Sequence, residues 1–256
     1  SSNVPDLYFA GTLTHIHDYR VAASGFIHGF RYNCHALHNI LKYNYEGVPL
    51  PSKTLPKDSK ALADIIIERF NSSGPMYLQT GTMAECLVIK EKEVQYLQNL
   101  TTFYFKNGPT STEDNYLVLS MEYGDINFPN VFDIKRIPLQ EFGVVAAYFH
   151  PIIRRYHKKE LVSEFHLNDN LGNRWDAPHY KASLIEFLDM TFAAPNVRLV
   201  CTTENMTFEG KPETAWKKLL QLQAVDLIPH KGNAEYYFKS DYANDVLSLY
   251  KCKLDQ

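Results

Sequence analysis

The chain has 256 residues, 45% of them hydrophobic, enough to bury one large core or two smaller ones. With 26 basic against 29 acidic side chains its formal net charge is −3, so no nucleic-acid or anionic-membrane partner is implied. No apolar run approaches the roughly 20 residues that span a bilayer.

The chain opens on Leu7-Tyr8-Phe9-Ala10, an apolar run of strand length that stops at Gly11-Thr12. A short polar loop with Asp18-Tyr19-Arg20 follows. A helix is then predicted from about Ala22 to Lys42, with the small residues Ala22, Ala23, Ser24 and Gly25 in its first turn. Gly11 lacks the Cβ that would block close approach of a ligand. The N–H groups of Ser24, Gly25 and Phe26 would be unpaired at such a helix start, with a partial positive charge behind them. By spacing alone this is a common strand–loop–helix connection of low specificity. Phe26, Phe30, Leu37 and Leu41 give the helix one apolar stripe. His35 and His38 have no Cys or carboxylate near them at ligand spacing, so no metal site is expected. His28, one turn in, is a candidate to act on a ligand at the helix start through another group.

Pro49, Pro51 and Pro56 with Gly47 mark residues 43–60 as a linker. Asp58 or Ser59 caps a predicted helix through about Phe70, ended by Asn71-Ser72-Ser73-Gly74-Pro75. Short strands are then predicted at Met76–Leu78, Ala84–Ile89, Leu100–Phe105 and Tyr116–Tyr123, forming an antiparallel sheet with helices on one face. His150-Pro151 is a candidate catalytic histidine, because the following proline holds it extended; a structural role is the more common fate of such a residue. His157, His166 and His179 cannot be ranked from sequence. Lys181–Ala193 reads as an amphipathic helix, Val197–Cys201 as a strand, and helices are expected from Pro212 to about Ala224 and after Ser240 or Asp241.

The cysteines Cys34, Cys86, Cys201 and Cys252 include no C-x-x-C pair, which argues against zinc and a thioredoxin-like motif and leaves thiols or disulfides open. Asn71, Asn99 and Asn205 begin N-x-S/T triplets and are glycosylation candidates that lean towards the secretory pathway. There is no G-x-S-x-G elbow and no H-E-x-x-H, so a hydrolase is disfavoured. The C-terminal Lys253-Leu254-Asp255-Gln256 is not a K-D-E-L-type signal.

The wording of the opening is more specific than its pattern. Leu7-Tyr8-Phe9-Ala10-Gly11-Thr12, Asp18-Tyr19-Arg20 and the run from Ala22 to Tyr32 resemble the last strand and last helix of the FAD domain in two-dinucleotide-binding flavoproteins. Within that group they look most like the FAD-dependent oxidoreductase domain-containing protein 2 family, endoplasmic-reticulum flavoproteins associated with degradation. The resemblance implies an α/β piece of an FAD-binding domain over residues 1–42, the linker at 43–60, and an α+β domain with an antiparallel sheet over 61–256. It implies that Gly11 and Thr12 neighbour the FAD pyrophosphate and ribityl chain, with Asp18 in the adjoining loop. Ser24, Gly25, Phe26 and Ile27 would face the pyrimidine edge of the isoalloxazine. Many such flavoproteins carry an acid where this chain has Thr12, and no G-x-G-x-x-G occurs here. The chain is therefore expected to be the C-terminal part of a longer oxidoreductase, inactive alone and completed by an N-terminal part. The resemblance further implies NADPH as reductant, client glycoproteins as partners, and an endoplasmic-reticulum or secretory location. The alternative expectation is a protein-binding module that contributes no chemistry.

Overall fold

The computed structural model describes residues 4–14, 22–123, 148–167, 172–193, 198–201, 206–209, 226–229 and 236–239. Six strands build an antiparallel sheet: β1 (Ser52–Pro56), β2 (Met83–Ile89), β3 (Glu93–Thr101), β4 (Tyr116–Glu122), β5 (His150–His157) and β6 (Glu160–His166). Their order is β1–β3–β2–β4–β5–β6. Two further strands, β7 (Arg198–Cys201) and β8 (Met206–Glu209), extend it, β7 running parallel to β6. A separate antiparallel pair joins β9 (Asp226–Pro229) to β10 (Tyr236–Lys239). The expected antiparallel sheet is present.

β2 and β4 lie in the sheet's interior and are buried on both faces, which is why their sequences are nearly continuous apolar runs rather than alternating ones. On one face Leu87, Leu117, Leu119 and Ile153 pack with Leu62, Ile66 and Phe70 of α2 (Ser59–Ser72), with Leu184, Phe187 and Leu188 of α5 (Pro178–Ala193), and with Trp175. On the other, Cys86, Val88, Tyr116, Val118 and Tyr156 pack with Ala36 of α1 (Ile27–Glu46) and Phe105 of α4 (Thr102–Asn107). A short helix α3 (Gly74–Leu78) enters β2. Helices thus cover both faces, not one.

The opening differs from its expected form. Leu7–Ala10 form no strand; a 3-10 turn follows at Gly11–Thr14 and another at Ala23–Gly25, and α1 begins only at Ile27. The apolar run pairs with no strand of the described sheet. The segment lies along α1 instead. Tyr8 bonds to Tyr45 near the end of that helix, while Thr14 bonds to Asn33 nearer its start, so residues 8–14 run antiparallel to it.

The stretch expected as a linker contains β1, an exposed edge strand whose Lys53 and Pro56 discourage further pairing. Since α1 packs on the sheet through Ala36, Tyr32 and Ile40, that helix and the sheet share a core. Met76–Leu78 is helical because Pro75 sits in the first turn of α3. The run expected as a strand from Leu100 to Phe105 divides at Thr101, whose hydroxyl caps α4 by accepting from the Tyr104 N–H at 3.1 Å. β3 precedes that point. Its sequence was hard to read because of a bulge: three residues of β3 step from Leu97 to Leu100 while two of β2 step from Cys86 to Ala84, and Asn99 takes φ 57°. Asp58 caps α2 as expected, its carboxylate accepting from the Ala61 N–H at 2.8 Å. The helices expected after Pro212 and Ser240 lie outside the described residues.

Candidate functional site

At the opening, the structure brings together part of the sequence-derived site. The Thr14 hydroxyl donates to the Gly11 carbonyl at 2.7 Å and accepts from Asn33 Nδ2 at 3.0 Å, fixing the first turn against α1. The turn at Ala23–Gly25 lies on the first turn of α1 because Gly29 has no side chain: a Cβ there would sit 2.0 Å from the Ala23 carbonyl oxygen. Ser24 is buried. The Phe26 N–H is not open, since it donates to Ala23 O at 3.0 Å. The backbone bonds of α1 start with Gly29 and Phe30, both donating to the Phe26 carbonyl, so the open N–H groups of the helix are those of Ile27 and His28. Of the expected Ser24–Ile27 group, the Phe26 N–H is thus closed, while α1 itself leaves open that of Ile27 and, beyond the group, that of His28. No side chain caps this helix.

Around that open end the chain exposes unusual apolar surface. Phe26 is 55% and Ile27 71% exposed, and the Phe26 ring stacks on His28 with centroids 5.7 Å apart. Towards the far end of α1, where Tyr8 meets Tyr45, Leu7, Tyr8 and Phe9 are exposed as well. Gly11 has φ +64° and open space where a Cβ would lie. Asp18 and Arg20 lie outside the described residues. An uncapped helix N-terminus bordered by apolar side chains fits the edge of an FAD isoalloxazine ring, which offers carbonyl acceptors and an apolar rim. The parallel strand that would deliver Gly11 to a pyrophosphate is not part of this arrangement.

A second constellation, which the sequence reading left unassembled, lies where β4, β5 and β6 adjoin. Strand alternation sets Ser120, Glu122, His150, Arg154, Glu164 and His166 on one face, in register. Arg154 is the hub. It donates to Glu122 at 2.5 and 3.0 Å, to Glu164 at 2.5 Å and to Ser120 Oγ at 3.3 Å. His166 Nε2 lies 2.7 Å from the other Glu164 oxygen, and His166 Nδ1 lies 2.8 Å from His150 Nε2. His150 Nδ1 lies 2.9 Å from the Tyr148 carbonyl. Burial alone would raise the Glu164 pKa, but the hydrogen bond from His166 and the charge of Arg154 hold its carboxyl down at about 2. Burial likewise opposes ionisation of Glu122, and Arg154 with Ser120 overcomes it, leaving its pKa below the ordinary value. Burial and the Arg154 charge push the Lys106 ammonium down.

On the opposite face Arg69 donates to the fully buried Glu85 at 2.5 to 3.2 Å, and the Tyr96 hydroxyl donates to the same carboxylate. Gln98 donates to Tyr96 at 3.0 Å. Burial, then the Glu85 charge, pushes the Tyr96 phenol up.

Of the remaining candidates, His35 and His38 are exposed on α1, and no group of metal-ligating side chains forms among the described residues. Cys34 and Cys86 are free thiols; burial pushes the Cys86 thiol well up. Asn71 uses its whole carboxamide, donating to Asp176 at 2.6 Å and accepting from the Trp175 N–H at 2.9 Å. Asn99 sits in the β3 bulge with a buried Oδ1 that has no hydrogen-bond partner. Asn205 lies outside the described residues. No described helix is long and apolar enough to cross a membrane.

Comparison with known proteins returns proteins named for the family that the sequence resembles. The chain is 32% identical over 170 residues to mouse (Mus musculus) FAD-dependent oxidoreductase domain-containing protein 2, a match covering 62% of this chain and 25% of that protein. It is 31% identical over 125 residues to the zebrafish (Danio rerio) protein of the same name, covering 47% of this chain and 18% of that one. The chain thus matches about a quarter or less of the length of these curated relatives. No family model matches it. No solved structure matches it either.

Proposed function

We propose that this chain is the C-terminal portion of an FAD-dependent oxidoreductase and that its first 42 residues complete the flavin site of that enzyme. The similarity to two proteins named as FAD-dependent oxidoreductases supports the reading. The observation that carries it to a location is the uncapped start of α1, with Phe26 and Ile27 exposed beside it.

When bound, FAD supplies the electron-transfer chemistry. The chain's own part is to bind and orient. The Ile27 and His28 N–H groups would donate to the pyrimidine edge, and the dipole of the 20-residue α1 would favour negative charge there. Phe26 and Ile27 would keep water from that edge. Gly11 and Thr12 would stand beside the pyrophosphate and ribityl chain, with Asp18 in the adjoining loop, and Ser24 and Gly25 would shape the approach. NADPH as reductant, client glycoproteins, an N-terminal partner segment and an endoplasmic-reticulum or secretory location complete the proposal. A second reading, a binding module without chemistry, is favoured by the sheet itself, whose described charged clusters pair internally.

A visible absorption spectrum of natively purified material, with mass spectrometry of every co-purifying polypeptide, tests both. An oxidised-flavin spectrum together with a polypeptide segment carrying G-x-G-x-x-G supports the flavoenzyme. Colourless, folded material in which that segment is present overturns it in favour of the binding module.

A further inference from the structure

The short helix α3 meets the first two turns of α1 at both of its ends. At its start, a Cβ on Gly74 would lie 2.7 Å from the Tyr32 hydroxyl oxygen. Just past its last residue, Gln79 Nε2 lies 2.8 Å from where a Cβ on Gly29 would be. Gly29 and Tyr32 are three apart on α1, so the two contacts fall on neighbouring positions of one helix face. In each, a glycine of one element admits a side chain of the other, and only the missing Cβ allows that approach.

The contact at Gly29 is anchored in the sheet. Gln79 donates its N–H to the Pro75 carbonyl at 3.0 Å, and its own carbonyl accepts from the Thr82 and Met83 N–H groups, both at 2.9 Å. Met83 opens β2. The Gln79 side chain is fully buried, and neither end of its carboxamide is hydrogen-bonded. Its contact with Gly29 is therefore one of shape rather than of polar pairing. The Ala23 carbonyl packs on the same glycine, and the Gly29 and Phe30 N–H groups close the first turn on the Phe26 carbonyl at 2.9 and 2.8 Å. What seats Gly29 thus also sets the Ile27 and His28 N–H groups just before it.

We propose, on the flavin reading of that helix start, that α3 and Gln79 form the seat of the ligand end of α1. Gln79 and Tyr32 are positioning residues: set against Gly29 and Gly74, they fix where the open Ile27 and His28 N–H groups stand. The flavin edge would then be placed from beyond the first 42 residues, by a connection that leads directly into β2. Hydrogen bonds and the helix dipole act over short distances, so a small shift of this turn is felt at the ligand.

The test compares Q79A, Q79M, G74A and G74A combined with Y32F. In the intact chain, hydrogen exchange is followed at Phe30, corrected for the intrinsic rate. Q79A should lower protection there at least about tenfold. Q79M refills the space without polar atoms and should keep it. G74A should also lower it, although alanine is the better helix former and Gly74 lies outside the left-handed region. Adding Y32F should restore protection, because the nearest Tyr32 atom left is then 3.6 Å from the new Cβ. Ile89, bonded to the Asn115 carbonyl on the sheet, should stay constant throughout.

In the natively purified complete protein, Q79A should raise the flavin dissociation constant at least about tenfold and lower the flavin midpoint potential, since the dipole that favours negative charge is displaced. Q79M should match the unsubstituted protein in both. Unchanged exchange in Q79A, equal opening in Q79A and Q79M, or a G74A loss that survives Y32F would overturn the seat. Flavin held with unchanged affinity and potential by a Q79A protein whose exchange has risen would overturn the positioning role alone. An unsubstituted protein without flavin would overturn the flavin reading and that role together, while exchange still decides the seat. If Q79A does not fold, G74A with and without Y32F decides both measurements.

Discussion

The opening segment and the sheet treat their apolar and polar groups in opposite ways. In the sheet, Leu87, Leu117, Leu119 and Ile153 are almost entirely buried, and the buried charges of Arg69, Glu85, Arg154 and Glu164 are matched to one another. In the opening, Leu7, Phe9, Leu13, Phe26 and Ile27 are turned outward although the segment is tied down by Thr14, Asn33 and Tyr45. Isolated exposed apolar residues need no explanation, but Phe26 and Ile27 lie side by side at an uncapped helix start. The contrast teaches that the sheet buries its apolar groups and pairs its charges internally, whereas the start of α1 leaves apolar groups outward.

Substitutions should sharpen this contrast. The largest effect belongs to the sheet: Leu119→Ala removes a fully buried side chain from β4 and should cost about 2–5 kcal/mol in denaturant unfolding. An acid titration should show the next effect. The Glu164 pKa lies at about 2 in the folded chain, below the roughly 4.3 of an unfolded glutamate. Its contribution is therefore complete above about pH 4.3 and lost as pH falls towards 2. In Glu164→Gln that part of the acid-induced loss should disappear, and unchanged slopes would show that Arg154 and His166 do not hold the carboxyl down.

Where the two regions meet, Gly29→Ala forces a Cβ against the Ala23 carbonyl, and should cost about 1–3 kcal/mol while loosening the turn at 23–25. The smallest effect should be at the outer surface. Ile27→Ser should alter stability by no more than about 0.5 kcal/mol, because that side chain already faces solvent. A loss comparable to that of Leu119→Ala would mean that the opening is core and would erase the contrast.

Much of the sheet was legible. β2 and β4 announced themselves as unbroken apolar runs, and α2 by Asp58 and its stripe. β3 was obscured by its bulge at Asn99, and α3 by apolar residues that suit strand or helix equally until Pro75 fixes the choice. Leu7–Ala10 shows the limit of local composition: an apolar run of strand length instead lies along α1, tied to it through Tyr8 and Tyr45. The resemblance drew attention to the opening, but which N–H groups stand open at the start of α1 depended on Phe26 turning its own N–H to Ala23. The charged cluster left a fainter trace, polar residues two apart in Ser120 and Glu122 and in Glu164 and His166. Its members join only when β4, β5 and β6 align, which is information no single stretch contains.

The most direct test compares flavin content in natively purified material carrying Ile27→Ser or Phe103→Ser, since these side chains are 71% and 73% exposed but only the first borders the start of α1. The account expects Ile27→Ser to lose flavin while folding normally, and Phe103→Ser to retain the ratio of the unsubstituted protein. Equal flavin content in both variants would contradict the assignment of the α1 start to the flavin.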